Sequence, residues 1–231
     1  MSMFFLFIFL WLITIILIFT NPKSELTRWG SAIGFVTGLG AFARFTEDNF
    51  YIVKNLSTLA HFDAGYANFF ISASYAVAHF FSPYCYLVFG FLNADTIISP
   101  GVIYKTKKYV KAGLLLPIVL MICLFPLHPQ YYNFRILSAW VMPYVCIAHF
   151  LVFFSFVKCH YPSYRRQKEL LFFALTPSIS FGTITNYILP AFHLTNSYKY
   201  NVYMVIVLFF LFIIFIWKYG FLGVRLKFER Y

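Results

Sequence analysis

Apolar residues come in long runs along this chain and polar residues in short gaps. Seven runs can be counted, over residues 3–20, 30–43, 67–93, 112–127, 136–157, 170–190 and 202–217. A helix needs about 20 apolar residues to cross the hydrocarbon core of a bilayer. The second run reaches that length only by extending over 26–45, with the long side chains of Arg28 and Arg44 snorkelling at its ends. The pattern predicts an all-α fold: a polytopic bundle of seven transmembrane helices over 1–218, followed by a basic exit segment, 219–231. The first run has no positive n-region and no small-residue cleavage site, so it does not fit a secretory signal.

The interruptions carry information too. Gly30, Gly34 and Gly38 recur every fourth residue in the second run, a side-chain-free stripe on which another helix can pack closely. Pro83, Pro117, Pro143 and Pro177 fall in runs three to six. Each removes a backbone hydrogen bond and tends to kink its helix, leaving carbonyls for neighbours to satisfy. Runs two to six are therefore expected to form the working bundle, with runs one and seven as flanking helices. Trp140 with Tyr131 and Tyr132 fits an interfacial anchor. No internal repeat is visible, which counts against an inverted-repeat transporter.

Composition agrees with this pattern. Of 231 residues, 61% are hydrophobic and 11% charged, against about 25% charged in a soluble domain. A net charge of +11 would suggest nucleic acid in a soluble protein. Here the charges occupy the gaps between runs, so nucleic acid is excluded as a partner and the charges serve as topology signals. The odd-numbered gaps and the tail hold 14 of the 18 Lys and Arg. That asymmetry places the C-terminus in the cytoplasm and the N-terminus outside, in a multi-pass protein of the cell membrane. Cys85, Cys123 and Cys146 lie inside apolar runs and are expected to be buried thiols.

The candidate chemistry is sparse. No run has Asp, Glu, Lys or Arg in its middle, where pumps and intramembrane hydrolases keep an ionisable group. No catalytic machinery is expected. His79 and His149 are the polar groups at depth, in runs three and five, at similar expected heights. Imidazole suits haem and metals, so a haem or metal between them is conceivable; hydrogen bonding between helices is the plainer alternative, and no cofactor is assigned. The gap after run two holds Glu47, Asp48, His61 and Asp63, a ligand-sensing mouth or a solvated loop. Asn186, Thr183 and Thr185, with Ser72 and Ser74, are candidates to line a cavity beside it.

Several stretches together resemble a known family. They are Asn21-Pro22-Lys23 with Arg28-Trp29, then Pro83-Tyr84, Trp140 with Pro143-Tyr144, Pro177-Ser178 and Asn186-Tyr187-Ile188. The exit motif Tyr219-Gly220-Phe221-Leu222-Gly223-Val224-Arg225-Leu226 completes the set. The chain resembles the membrane-embedded N-terminal sensor region of bacterial, bacilli-type sensor histidine kinases. The resemblance implies a two-component signal transduction module with Gly220, Gly223 and Arg225 as its output hinge. It also implies a homodimer or a cytoplasmic kinase domain as partner, beside the lipid bilayer. The sequence departs from that family in having no phosphoacceptor histidine on a long cytoplasmic helix and no glycine-rich nucleotide lid. The expectation is a sensory module whose kinase output is absent from these 231 residues; the alternative is a small integral-membrane permease or transporter subunit.

Overall fold

The computed structural model describes residues 2–49, 64–125, 132–194 and 196–201, with eight further positions between 203 and 214. Six long helices fill it: α1 (Ser2–Thr20), α2 (Glu25–Asp48), α3 (Ala64–Leu92), α4 (Pro100–Leu124), α5 (Phe134–Val157) and α6 (Pro162–Thr183). A π-helical turn, Ile184–Ile188, continues α6 into the short helical turn Leu189–Ala191. The 3-10 turn Ser197–Tyr200 then leads into helical positions between 201 and 214, the C-terminal helix. No strand occurs among the described residues, so the all-α expectation holds.

Local chemistry sets the helix starts. Ser24 accepts the amide of Thr27 at 3.2 Å and caps α2; Asn133 accepts the amides of Arg135 and Ile136 and caps α5. Pro100 and Pro162 occupy the first turns of α4 and α6, where the missing N–H costs nothing. The turn after Pro190 closes with His193 at φ 68°, its amide on the Pro190 carbonyl and that of Leu194 on the Leu189 carbonyl. This is a Schellman cap with histidine where glycine is commoner.

α3 is the centre of the bundle, packing on α2, α4 and α5. Residues 84–89 are buried on every side of the helix, as befits a helix surrounded by others. At Gly90 a Cβ would come 3.2 Å from the backbone of Ala148, so α3 and α5 cross almost in backbone contact. α1 is more than a flank. The glycine stripe meets it: a Cβ on Gly34 would lie 2.6 Å from Thr14 Oγ1, and one on Gly38 2.4 Å from Trp11 Nε1. Thr14 and Trp11 in turn donate to the carbonyls of Ser31 and Phe35 on α2. Gly38→Val is therefore expected to displace Trp11 and cost about 1–3 kcal/mol, measured as a lower unfolding temperature in detergent.

Among the described residues two helices are long and apolar enough to cross a membrane, Asn68–Leu92 and Phe134–Val157; Met3–Phe19 is apolar but shorter. α4 and α6 begin in charge, at Lys105, Lys107, Lys108 and Lys111 and at Arg165, Arg166 and Lys168, which shortens their apolar parts. Large apolar side chains such as Phe5, Ile15, Phe69, Leu116, Ile147, Phe150 and Phe210 face outward. Tyr132 and Trp140 are not an interfacial anchor, because Tyr132 is buried and both rings pack on Phe80. Cys85 is buried as expected, whereas Cys123 and Cys146 are exposed.

Candidate functional site

The polar side chains collect at the two ends of the bundle. At the basic end Glu25, the first residue of α2, receives Lys107 at 2.6 Å and also Lys111, tying α2 to α4. Burial alone would raise the Glu25 carboxyl, but the hydrogen bonds and charges of the two lysines outweigh it and hold the carboxyl below its ordinary value of 4.5. Because the folded-state value is the lower one, this tether stabilises fully above pH 4.5 and is lost as pH falls through the lowered value. Glu25→Gln is expected to flatten the acid limb of a melting-temperature profile while leaving its slope near neutrality unchanged.

The same end holds the feature least visible in the sequence. Lys168, in the second turn of α6, is only 2% exposed. Its ammonium donates to the Asn93 carbonyl at 2.7 Å, Asp95 Oδ1 at 2.6 Å and Ser155 Oγ at 2.6 Å. Three short bonds use its three donors. Ser155 donates to the Asn93 carbonyl, and Thr96 donates to the Ser155 carbonyl at 2.7 Å. Tyr164 lies under the ammonium at 4.8 Å and donates to Asp95; burial and the carboxylate raise its phenol. One lysine thus joins α5 and α6 to the α3–α4 connection. The charge count puts Lys168 in the gap before run six; in the structure it is a helix residue that shares a buried face with Leu171 and Ala174 at helical spacing.

Of the five described ligand candidates, Glu47, Asp48 and His79 share contacts through Arg44 and Tyr75 at the opposite end. Arg44 donates to Glu47 at 2.9 Å and to the Tyr198 hydroxyl at 2.6 Å, pairs with Asp48 at 3.5 Å, and stacks over the Tyr198 ring at 4.0 Å. Tyr75 of α3 donates to the same Glu47 carboxylate at 2.6 Å and stacks on His79. His79 is enclosed edge-on by Tyr132, Phe134 and Tyr187. Tyr198 belongs to the 3-10 turn that opens the C-terminal helix.

A second route runs through the backbone breaks. Pro83 has no N–H for the His79 carbonyl, and the Tyr187 hydroxyl reaches it at 3.3 Å. Tyr187 sits in the π-turn, where its own carbonyl accepts Ser138 of α5 at 2.8 Å. The Thr185 carbonyl accepts Ser197 at 2.6 Å, and Asn186 Oδ1 accepts the side-chain amide of Asn201 at 3.0 Å. One residue past the carbonyl that Pro117 of α4 leaves without its amide donor, the Leu114 carbonyl accepts the Tyr144 hydroxyl at 2.9 Å. In an apolar medium a freed carbonyl needs such a donor, and for His79 it comes from the π-turn after α6. The π-turn, a form often found at functional positions, is thereby bonded to α3, α5 and the start of the C-terminal helix. Thr183 and Thr185 are buried instead of lining an open cavity: both hydroxyls meet backbone carbonyls of α6, and that of Thr185 also meets Asn201 Oδ1.

His149 is placed elsewhere. Tyr86 occupies its Nδ1 at 2.7 Å and Ser180 its Nε2 at 2.6 Å, joining α3, α5 and α6. Tyr86 lies seven residues beyond His79 on α3, about 10 Å of helix rise, so the two histidines are not at one height and the structure does not bring them together. Among the described residues no cluster of three His, Cys, Asp or Glu side chains has metal-binding geometry. His61, Asp63, Gly220, Gly223 and Arg225 lie outside the described residues. No family model, curated protein or solved structure matches the chain.

Proposed function

We propose that the chain is the membrane-embedded sensory module of a signalling protein. Seven helices cross the cell membrane, with the N-terminus outside and the basic end and C-terminus in the cytoplasm. A signal arriving at Glu47, Asp48 and His79 from outside or from the membrane passes to the C-terminal helix. It leaves through Gly220, Gly223 and Arg225 to a histidine kinase output of a two-component system, acting in a homodimer or on a separate kinase domain. His149 is a helix tie within this reading, and no cofactor takes part.

One observation carries the proposal: both polar routes from the outer end finish at the threshold of the C-terminal helix. Arg44 reaches Tyr198, and the π-turn reaches Ser197 and Asn201. The tethers also support the alternating topology. Glu25 meets Lys107 and Lys111, and Asp95 meets Lys168, so connections one, three and five share the basic end. Arg44 meets Tyr198 at the other end, where connections two and six belong.

The topology is tested by labelling single cysteines, introduced at Asp48 and Lys108 in a cysteine-free background, with an impermeant thiol reagent in intact cells. Asp48 should react from outside and Lys108 only after permeabilisation; the reverse pattern would sink the orientation. The signalling reading is tested by joining a histidine kinase output after Tyr231 and measuring autophosphorylation. Output should change when Tyr198 is replaced by Phe. Unchanged output, with solute flux in reconstituted vesicles, would favour the permease instead.

A further inference from the structure

On the exposed side of α6 the basic end carries a groove of about 560 Å³, lined by His160, Arg165, Arg166, Glu169, Leu170 and Phe173. The groove lies opposite the face that buries Lys168, Leu171 and Ala174, so it faces away from the core. Its chemistry changes along its length. His160, Arg165 and Arg166 stand exposed at the start of α6, with Glu169 as the single acid. One to two turns on, Leu170 and the half-exposed Phe173 make an apolar floor.

Arg165 is preset for an anion. Its guanidinium lies 5.6 Å over the Phe156 ring of α5, and it makes no hydrogen bond to a described residue. A guanidinium near a ring face keeps its N–H groups for a planar or tetrahedral oxyanion, and phosphate fits that fork bidentately. A free phosphate ester would satisfy the basic half alone. A ligand with a hydrocarbon chain also covers the exposed Phe173 ring at the apolar end of the groove.

We infer that this groove binds an anionic phospholipid, its phosphate against His160, Arg165 and Arg166 and one acyl chain along Leu170 and Phe173. The site rests on the membrane reading above and adds to it a specific lipid contact next to the Lys168 knot. A lipid seated there holds the start of α6 at the cytoplasmic headgroup level.

The test uses the full chain in nanodiscs of mixed phosphatidylcholine and phosphatidylglycerol, with retained lipid counted by native mass spectrometry. Wild type should retain phosphatidylglycerol in preference to phosphatidylcholine. The double variant Arg165→Gln/Arg166→Gln should lose roughly thirtyfold of that preference, as two basic residues near a charged surface contribute. Phe173→Ser should weaken lipid retention without changing competition by soluble glycerol phosphate. Equal retention by wild type and the double variant overturns the groove. Displacement of lipid by glycerol phosphate, with Phe173→Ser unaffected, assigns the site to a soluble phosphate ester and overturns the lipid. Extraction of the protein from native membranes by alkaline carbonate would instead overturn the membrane reading, so the two failures are separate. These side chains are exposed, and an unchanged helical circular dichroism spectrum confirms that the variants fold.

Discussion

Lys168→Met is expected to destabilise the protein by about 3 kcal/mol, the low end of what breaking a buried ion pair costs. The low end applies because Asp95 is still 29% exposed and can recover some water. The variant keeps the length and packing of the side chain but leaves the Asn93 carbonyl and Ser155, both buried, without their strongest donor. An unpaired carboxylate also stays behind against the phenol of Tyr164. A double-mutant cycle separates these contributions. Adding Asp95→Asn to Lys168→Met removes the stranded charge, so the pair should cost less than the sum of the singles. Unfolding temperature in detergent is the readout. Additive costs would mean that Lys168 and Asp95 do not interact and that the knot is three independent hydrogen bonds.

The sequence made the helices legible because the bilayer-length runs and the capping residues depend on local chemistry alone. The glycine stripe was legible for the same reason, although which helix would approach it was not: Gly34 and Gly38 receive α1, a helix whose apolar composition suggested only a flank. Long-range pairing is what the chain could not announce. Arg44 and Tyr198 are 154 residues apart and Lys168 and Asn93 75 apart, and nothing in their spacing links them. Glu47, Asp48 and His79 each stand out in the sequence by polarity, and the structure adds the tyrosines around them, Tyr75, Tyr187 and Tyr198. Tyrosine is abundant here, 18 residues, so composition masks the three that carry the network. The proline carbonyls offered one real clue. Pro83 implied a needy carbonyl on His79, and only the fold names Tyr187 as its donor.

Arg44→Gln should loosen the contact between α2 and the turn that opens the C-terminal helix, because one guanidinium holds both. It donates to Glu47, which also receives Tyr75 of α3, and it binds Tyr198 through both a hydrogen bond and its ring face. A hydrogen bond to a charged group contributes about 1.5–3 kcal/mol, and glutamine has neither the charge nor the reach to keep both partners. The 3-10 turn should then separate from α2, although Tyr198 also packs on the α1–α2 cluster with Met3, Leu6 and Phe7 and so retains an apolar foothold. Spin labels on α2 and at Tyr200 should report a longer, broader distance in Arg44→Gln than in wild type. Arg44→Lys is the discriminating control. It keeps the positive charge for Glu47 but lacks the planar fork that spans two acceptors and lies flat on a ring. A distance in Arg44→Lys like that of Arg44→Gln would show that geometry couples the outer cluster to the C-terminal helix; a wild-type distance would show that charge alone does; and an unchanged distance in both would overturn the route through Tyr198.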